Sequence, residues 1–240
     1  AAQEITISSF YLKHQALAAR AKGLLSLRSM CDLSINVSSA NLMALNSYIK
    51  ADALAGNLDL SAHFTGPLDS LVIAVSLNAD SLRYNTYAMT CLKLNADVLK
   101  HGNGLVGSAD AEMHEINIGE FIIQDVNLHT GLSPDMLDLR VELKQNSDIQ
   151  SRIHAQYLLN ELPIVYLKQF DVDLRDRQWR GVSDSTSIVI SDGEYIVTNF
   201  LIQNINADSV DAQIYADGTI RFDGTEDFLL RLQNYNLAPI

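Results

Sequence analysis

The chain has 240 residues, 29 of them acidic and 17 basic, for a formal net charge of -12. That length, with 48% apolar residues, suffices for a buried core and argues against intrinsic disorder. The acidic balance argues against a phosphate-tracking nucleic-acid binder and an anionic membrane surface. No stretch reaches the roughly 18 uninterrupted apolar residues of a membrane-spanning helix.

The chain opens Ala1-Ala2-Gln3-Glu4, with no Met, basic start or apolar signal core, and reads as a segment of something longer. Residues 10–22 are Ala-rich, and there a helix competes with the alternation of Leu17, Ala19 and Ala21. From there onward a period of two dominates. Leu58, Leu60, Ala62 and Phe64 alternate with Asn57, Asp59, Ser61 and His63. Leu71, Ile73, Val75 and Leu77 repeat the pattern, as do Leu92, Leu94, Ala96 and Val98. The clearest run is Leu137, Leu139, Val141 and Leu143 between Asp138, Arg140, Glu142 and Lys144. Residues 149–162 place Ile149, Ile153 and Tyr157 at i, i+4 and i+8 ahead of Pro163, which marks the best helix candidate, although Ile153, Ala155, Tyr157 and Leu159 fit a strand equally. Later strands carry Val172 and Leu174, Ile188 and Ile190, Tyr195 and Val197, Ile220 and Phe222, and Leu230 and Leu232. Successive side chains of a strand point to opposite faces, so most of these strands have one apolar and one wetter face.

Three strand–turn–strand units recur around Gly66, Gly131 and Gly224, each with an acidic residue before the next apolar run. Glycine there supplies the positive φ of a tight turn. Roughly 14 to 18 short strands follow, too many for a compact sandwich of this length. The expected fold is mainly β, with few or no helices: an elongated, coiled antiparallel sheet folded into an apolar groove. It spans residues 1–240, with 1–148 and 170–240 as two candidate β units joined by a short helix or linker.

Chemistry-bearing constellations are scarce. The chain lacks a dinucleotide fingerprint, a Walker loop, a nucleophile elbow and a paired-histidine zinc motif. Gly102-Asn103-Gly104 with Gly107 reads as a hairpin turn. The histidines His14, His63, His101, His114, His129 and His154 are scattered, and His114-Glu115 beside Glu112 alternates faces, so a solvated strand face is favoured over a metal site. Asp171 and Asp173 read as the wet side of a strand, with Asp176 in a mixed-charge run; Asp208, Asp211 and Asp217 make no calcium loop pattern. Trp179 reads as a core or edge-packing residue. Cys31 and Cys91 read as buried free thiols, with one disulfide as the alternative in an oxidising compartment. No cofactor, metal or catalytic set emerges, and the expectation is a non-enzyme.

The stretch from Leu54-Ala55-Gly56-Asn57-Leu58 through Phe64-Thr65-Gly66-Pro67-Leu68 to Leu71 resembles the repeating units of TamB-like proteins of the AsmA superfamily, and Leu82-Arg83-Tyr84 follows as it often does there. The order Trp179, Ile188 to Ile190, Asn199 to Ile202, Gly218 to Ile220 and Leu229 to Leu232 is similar to such a unit too. The resemblance implies a middle segment of a bridge-like groove, part of an inner-membrane-anchored protein crossing the periplasm. It implies phospholipid as cargo, carried by its acyl chains between inner and outer membranes. An outer-membrane barrel assembly partner of the full-length protein, and a role in outer-membrane protein assembly, are implied with it.

The lining residues expected are Leu60, Phe64, Ile73, Val75, Leu94, Leu139, Val141, Ile190, Phe222 and Leu230. The alternative is a structural or adhesive β-rich surface module with a dry core that binds protein or glycan. A carbohydrate-active enzyme on a β-helix is a third reading, for which no clustered carboxylates and basic residues assemble on one face.

Overall fold

A computed structural model describes residues 4–26, 29–46, 54–102, 104–159, 163–175, 177–181, 185–191, 193–206, 209–224 and 226–234. Asn103, Asp176 and Asp208 lie outside the described residues, as do the side chains of His101 and Asp211. The protein is mainly β. Its strands pair antiparallel, and two short 3-10 turns, Leu42–Leu45 and Leu68–Ser70, are the helical elements among the described residues. The chain divides into two units, residues 1–134 and 135–240.

The first unit is an eight-stranded meander: β1 (Glu4–His14), β2 (Leu17–Ser26), β3 (Met30–Ser39), β4 (Leu54–Pro67), β5 (Val72–Tyr84), β6 (Tyr87–His101), β7 (Gly104–Ile118) and β8 (Phe121–Ser133). Residues 10–22 are therefore the end of β1, a turn and the start of β2. Each strand pairs with its sequence neighbours; except between β3 and β4, which 14 residues separate, the connections are short, and an antiparallel return is then the direct route.

The register aligns the alternation of all eight strands. One complete row reads Leu12, Ala19, Val37, Leu60, Leu77, Leu94, Ala111 and Leu128. The next row on that face is smaller: Phe10, Ala21, Ile35, Ala62, Val75, Ala96, Ala109 and Thr130. A third runs Ile7, Gly23, Leu33, Phe64, Ile73, Val98, Gly107 and Leu132, and the fourth joins Leu17, Ser39, Leu58, Ala79, Leu92, Met113 and Val126. The opposite face is polar, as in the row Arg20, Asn36, Ser61, Ser76, Asn95, Asp110 and His129. A one-residue slip of any strand would turn its apolar set to the wet face, so the pattern itself holds the register.

Glycine lets neighbouring strands close in on the apolar side. Gly23 has φ +136°, and a Cβ placed there would stand 1.8 Å from the carbonyl oxygen of Asp32 on β3. At Gly107 the same atom would be 2.2 Å from the carbonyl oxygen of Asp97 on β6. Both lie in the Phe64 row. Gly66 has the expected positive φ, +100°, but pairs with Cys31 inside β4, and the chain turns after it at Leu68–Ser70; Gly224, with φ +85°, lies in the β15–β16 turn. Gly131 departs from that expectation. It pairs with Ser108 inside β8, and the chain turns at Pro134 and Asp135 instead, because proline and aspartate are themselves turn formers.

The second unit holds β9 (Met136–Lys144), β10 (Ile149–Leu158), β11 (Ile164–Leu174), β12 (Arg177–Gly181), β13 (Ser187–Ser191), β14 (Glu194–Asn206), β15 (Ser209–Arg221) and β16 (Glu226–Gln233). Of the helix expected over 149–162, Ile149–Leu158 is strand β10, flanked by β9 and β11, and residues 160–162 lie outside the described residues. A spacing of four is even, so Ile149, Ile153 and Tyr157 share a strand face as well as a helix face. The two neighbouring strands then supply the backbone partners.

β12 and β13 act as one interrupted strand between β11 and β14, each pairing with both. Thr186 closes the interruption. Its carbonyl accepts from Leu167 N–H at 3.0 Å, and its hydroxyl donates to the Asn199 carbonyl at 2.8 Å. Trp179 is buried, between Val172 and Asn204 in the row running from Leu143 to Ala212.

Cys31 and Cys91 are both free. Cys31 is buried in the apolar face opposite Gly66, and its thiol donates to the Ser26 carbonyl at 3.1 Å. Cys91 is half-buried, on the polar side of β6 between Asp80 and His114, so the expectation of two buried thiols holds for Cys31 alone. Opposite faces of a sheet keep the two sulfurs from pairing.

Candidate functional site

The feature that stands out is the apolar face. Across β1 to β8, its four rows contain no Asp, Glu, Lys or Arg. Seven interstrand intervals make it about 34 Å wide, and three two-residue steps make it about 20 Å along the strands. Few of its side chains are fully buried. Leu33, Ala79, Ala111 and Val126 are, whereas Leu58, Leu60, Ala62, Phe64, Ile73, Val75, Leu77, Leu94 and Val98 are half-buried. A face with flanking strands and no covering layer has this signature: neighbours shelter the sides of each side chain, and its outer end stays accessible.

Among the expected lining residues, Leu60 and Leu94 share one row with Leu77 between them, and Phe64 pairs with Ile73 in another. Val75 sits in the small-residue row between Ala62 and Ala96. In the second unit Leu139 pairs with Ala155 and Val141 with Ile153, all on one face. Ile190 is half-buried opposite Tyr195. Phe222 lies one residue beyond β15, is 65% exposed, and meets the Tyr195 ring edge-on with centroids 5.1 Å apart. Leu230, on β16, pairs with Ala216 of β15 and is 58% exposed. Val37, Leu77 and Leu128 share the row of Leu60 and Leu94.

Two polar side chains interrupt the apolar surface without a hydrogen-bond partner, Ser39 Oγ in the first unit and Asn204 Nδ2 in the second, and both residues are buried. A buried donor left unpaired costs on the order of 1–3 kcal/mol.

The polar faces are organised by cross-strand pairs. His129 Nδ1 lies 2.6 Å from Asp110, and His114 Nδ1 lies 2.7 Å from Asp125, a reciprocal pair of pairs joining β7 to β8. His63 Nδ1 is 2.9 Å from Ser34 Oγ across β3 and β4. Glu115 accepts from Thr90 at 2.6 Å. His114 and Glu115 are thus engaged with different strands, and no group of three metal-ligating side chains forms among the described residues.

In the second unit His154 Nε2 and Gln156 Nε2 meet one oxygen of Asp138, at 2.8 and 3.0 Å. Burial pushes the Asp138 carboxyl up, but the hydrogen bonds from His154 and Gln156 and the charges of His154 and Arg140 outweigh it and hold the group below its ordinary value. Asp171 and Asp173 share the polar face of β11, bracketed by Arg152 and Arg180. The shortest contact there is Arg180 to Asp173 at 2.7 Å. Two carboxylates so neutralised have an electrostatic role in the sheet.

No helix of the described residues is long and apolar enough to cross a membrane. No protein-family model, curated protein or solved structure matches the chain.

Proposed function

We propose that the chain is a non-enzymatic length of lipid-conducting sheet, a segment of a TamB-like periplasmic protein that shields phospholipid acyl chains between the inner and outer membranes. The observation that carries the reading is the half-open face of β1 to β8, apolar in its rows apart from His14, Ser39 and Thr130 and free of Asp, Glu, Lys and Arg. Water-exposed apolar area costs about 25 cal/mol per Å2, so such a face is stabilised by an apolar occupant. Its extent along the strands, about 20 Å, accommodates an acyl chain of one leaflet, which is about 15 Å long. Tails lying along the strands would leave headgroups at the strand ends, in water. An outer-membrane barrel partner belongs to the same proposal through the resemblance alone.

The test is lipid extraction and mass spectrometry on the chain purified without detergent. Phospholipid should co-purify, and Val75→Asp with Val141→Asp should reduce it at least tenfold. Asn78→Asp, on the wet side of β5, should leave it unchanged. A folded, lipid-free wild-type protein would sink the conduit reading.

A further inference from the structure

A second apolar feature lies at the hairpin tips of the first unit. β5 and β6 are closed by Asn85 and Thr86, and β7 and β8 by Gly119 and Glu120. Asn85 and Gly119 both have positive φ, as tight two-residue hairpins require. The last paired row before these turns is Tyr84, Tyr87, Ile118 and Phe121. These four are 51, 52, 42 and 68% exposed, and cross-strand partners share a face.

The alternation changes phase just behind this row. Up to Ala79, Leu92, Met113 and Val126, apolar residues hold one set of alternate positions. The next position of that set is polar and exposed: Ser81, Thr90, Glu115 and Gln124. Ser81 and Glu115 have positive φ, and Thr90 bonds Glu115, so the polar row is a built feature. Beyond it the other set becomes apolar, with Leu82 paired to Met89 and Ile116 to Ile123, all half-buried, followed by the exposed tip row. The tips are thus a separate apolar patch, set apart by polar side chains from the lining.

We infer that these two hairpin tips dip into the interface of a zwitterionic phospholipid bilayer. Three observations select that occupant. The row sits on protruding turn ends, a shape that enters a soft surface. Two tyrosines among aliphatic and phenyl side chains match the amphipathic composition of a membrane interface. The row carries no charge, its nearest flanking charges are Arg83 and Glu120, and the chain's net charge of -12 opposes an anionic surface.

The inference does not require lipid in the lining. Tip substitutions leave co-purifying phospholipid unchanged, and Val75→Asp leaves tip binding unchanged, so the two readings fail separately.

The experiment is co-sedimentation of the full 240-residue chain with sucrose-loaded phosphatidylcholine vesicles. The double variant Tyr84→Ser, Phe121→Ser should lower the partition coefficient at least tenfold, while Tyr11→Ser, at an exposed site on β1, leaves it as in wild type. Phe121→Ser alone, a change at the most exposed position of the row, serves if the double variant does not fold, with an expected drop of at least threefold. Replacing part of the phosphatidylcholine by phosphatidylglycerol should weaken binding. Absent wild-type binding, or equal binding by folded wild type and tip variants, overturns the inference. A wild-type oligomer in vesicle-free buffer that the tip variants dissolve also overturns it, in favour of a protein contact.

Discussion

Gly23 stands where the backbone of β3 comes closest to that of β2. A methyl group there meets the Asp32 carbonyl oxygen at 1.8 Å, and the φ of +136° is strained for any L side chain. Gly23→Ala should therefore destabilise the first unit by about 2 kcal/mol, read as a lower urea midpoint. Asp138 makes a prediction of opposite chemistry. Its carboxyl is held below its ordinary value of 3.8 in the folded chain. A depressed acid stabilises the fold above its unfolded pKa, and that contribution is lost as pH falls through the folded value. Wild-type unfolding free energy should thus drop on acidification below about pH 4. In Asp138→Asn that part of the drop should be missing, a difference that denaturant titrations between pH 6 and 3 would measure. The individual contacts around Asp138 were not legible beforehand, since adjacency of His154 and Asp138 depends on the β9–β10 register.

At the scale of elements, the short charged cluster on β10 to β12 has the clearest consequence. Arg180 reaches Asp171 and Asp173 from β12, whereas Arg152 reaches them from β10 at 3.8 and 3.9 Å. Arg180 is also the more buried of the two, with 21% side-chain exposure against 50%. Arg180→Ala should cost about 1–2 kcal/mol, and Arg152→Ala less than about 1 kcal/mol, in equilibrium unfolding, because a more exposed pair is worth less. Alternation with Val172 and Leu174 puts Asp171 and Asp173 on one face of β11, but the expected wet side is only 13 and 30% exposed at their side chains, because the two arginines cover them. The sequence could not show which arginines would face them.

The same limit explains β10. A period of four satisfies a helix and a strand alike, and neighbours with free backbone edges settle the choice. The interruption between β12 and β13 was equally hidden, since each half alone reads as an ordinary short strand.

Taken whole, the chain exposes 15323 Å2. A compact protein of its mass would expose about 10,700 Å2, and two separate compact halves about 12,900 Å2. Folding thus removes about 60% of the unfolded surface, where two separate compact halves would remove about 66%. The slope of unfolding free energy against urea scales with the area exposed on unfolding. It should therefore be about 10% lower than for two compact domains of the same total length, a value that two-probe urea titrations would establish. An ordinary slope would mean that the apolar faces are covered in solution.

What the sequence by itself determined is the class of fold and the sidedness of its clearest strands, β4, β5, β6 and β9, over their alternating runs. Alternation is a local property, because a strand's side chains switch faces at every residue whatever lies beside it. The apolar identity of Leu60, Phe64, Ile73, Val75 and Leu94 follows from that alone. The alignment of those residues into rows eight strands wide came from the tertiary structure. So did the closeness of strands at Gly23 and Gly107, the pairing of His114 and His129 with Asp125 and Asp110, and the phase change behind Tyr84 and Phe121. These depend on register and on positive-φ backbone. Both are set by interstrand hydrogen bonds between residues far apart in the chain, for which no local pattern stands proxy.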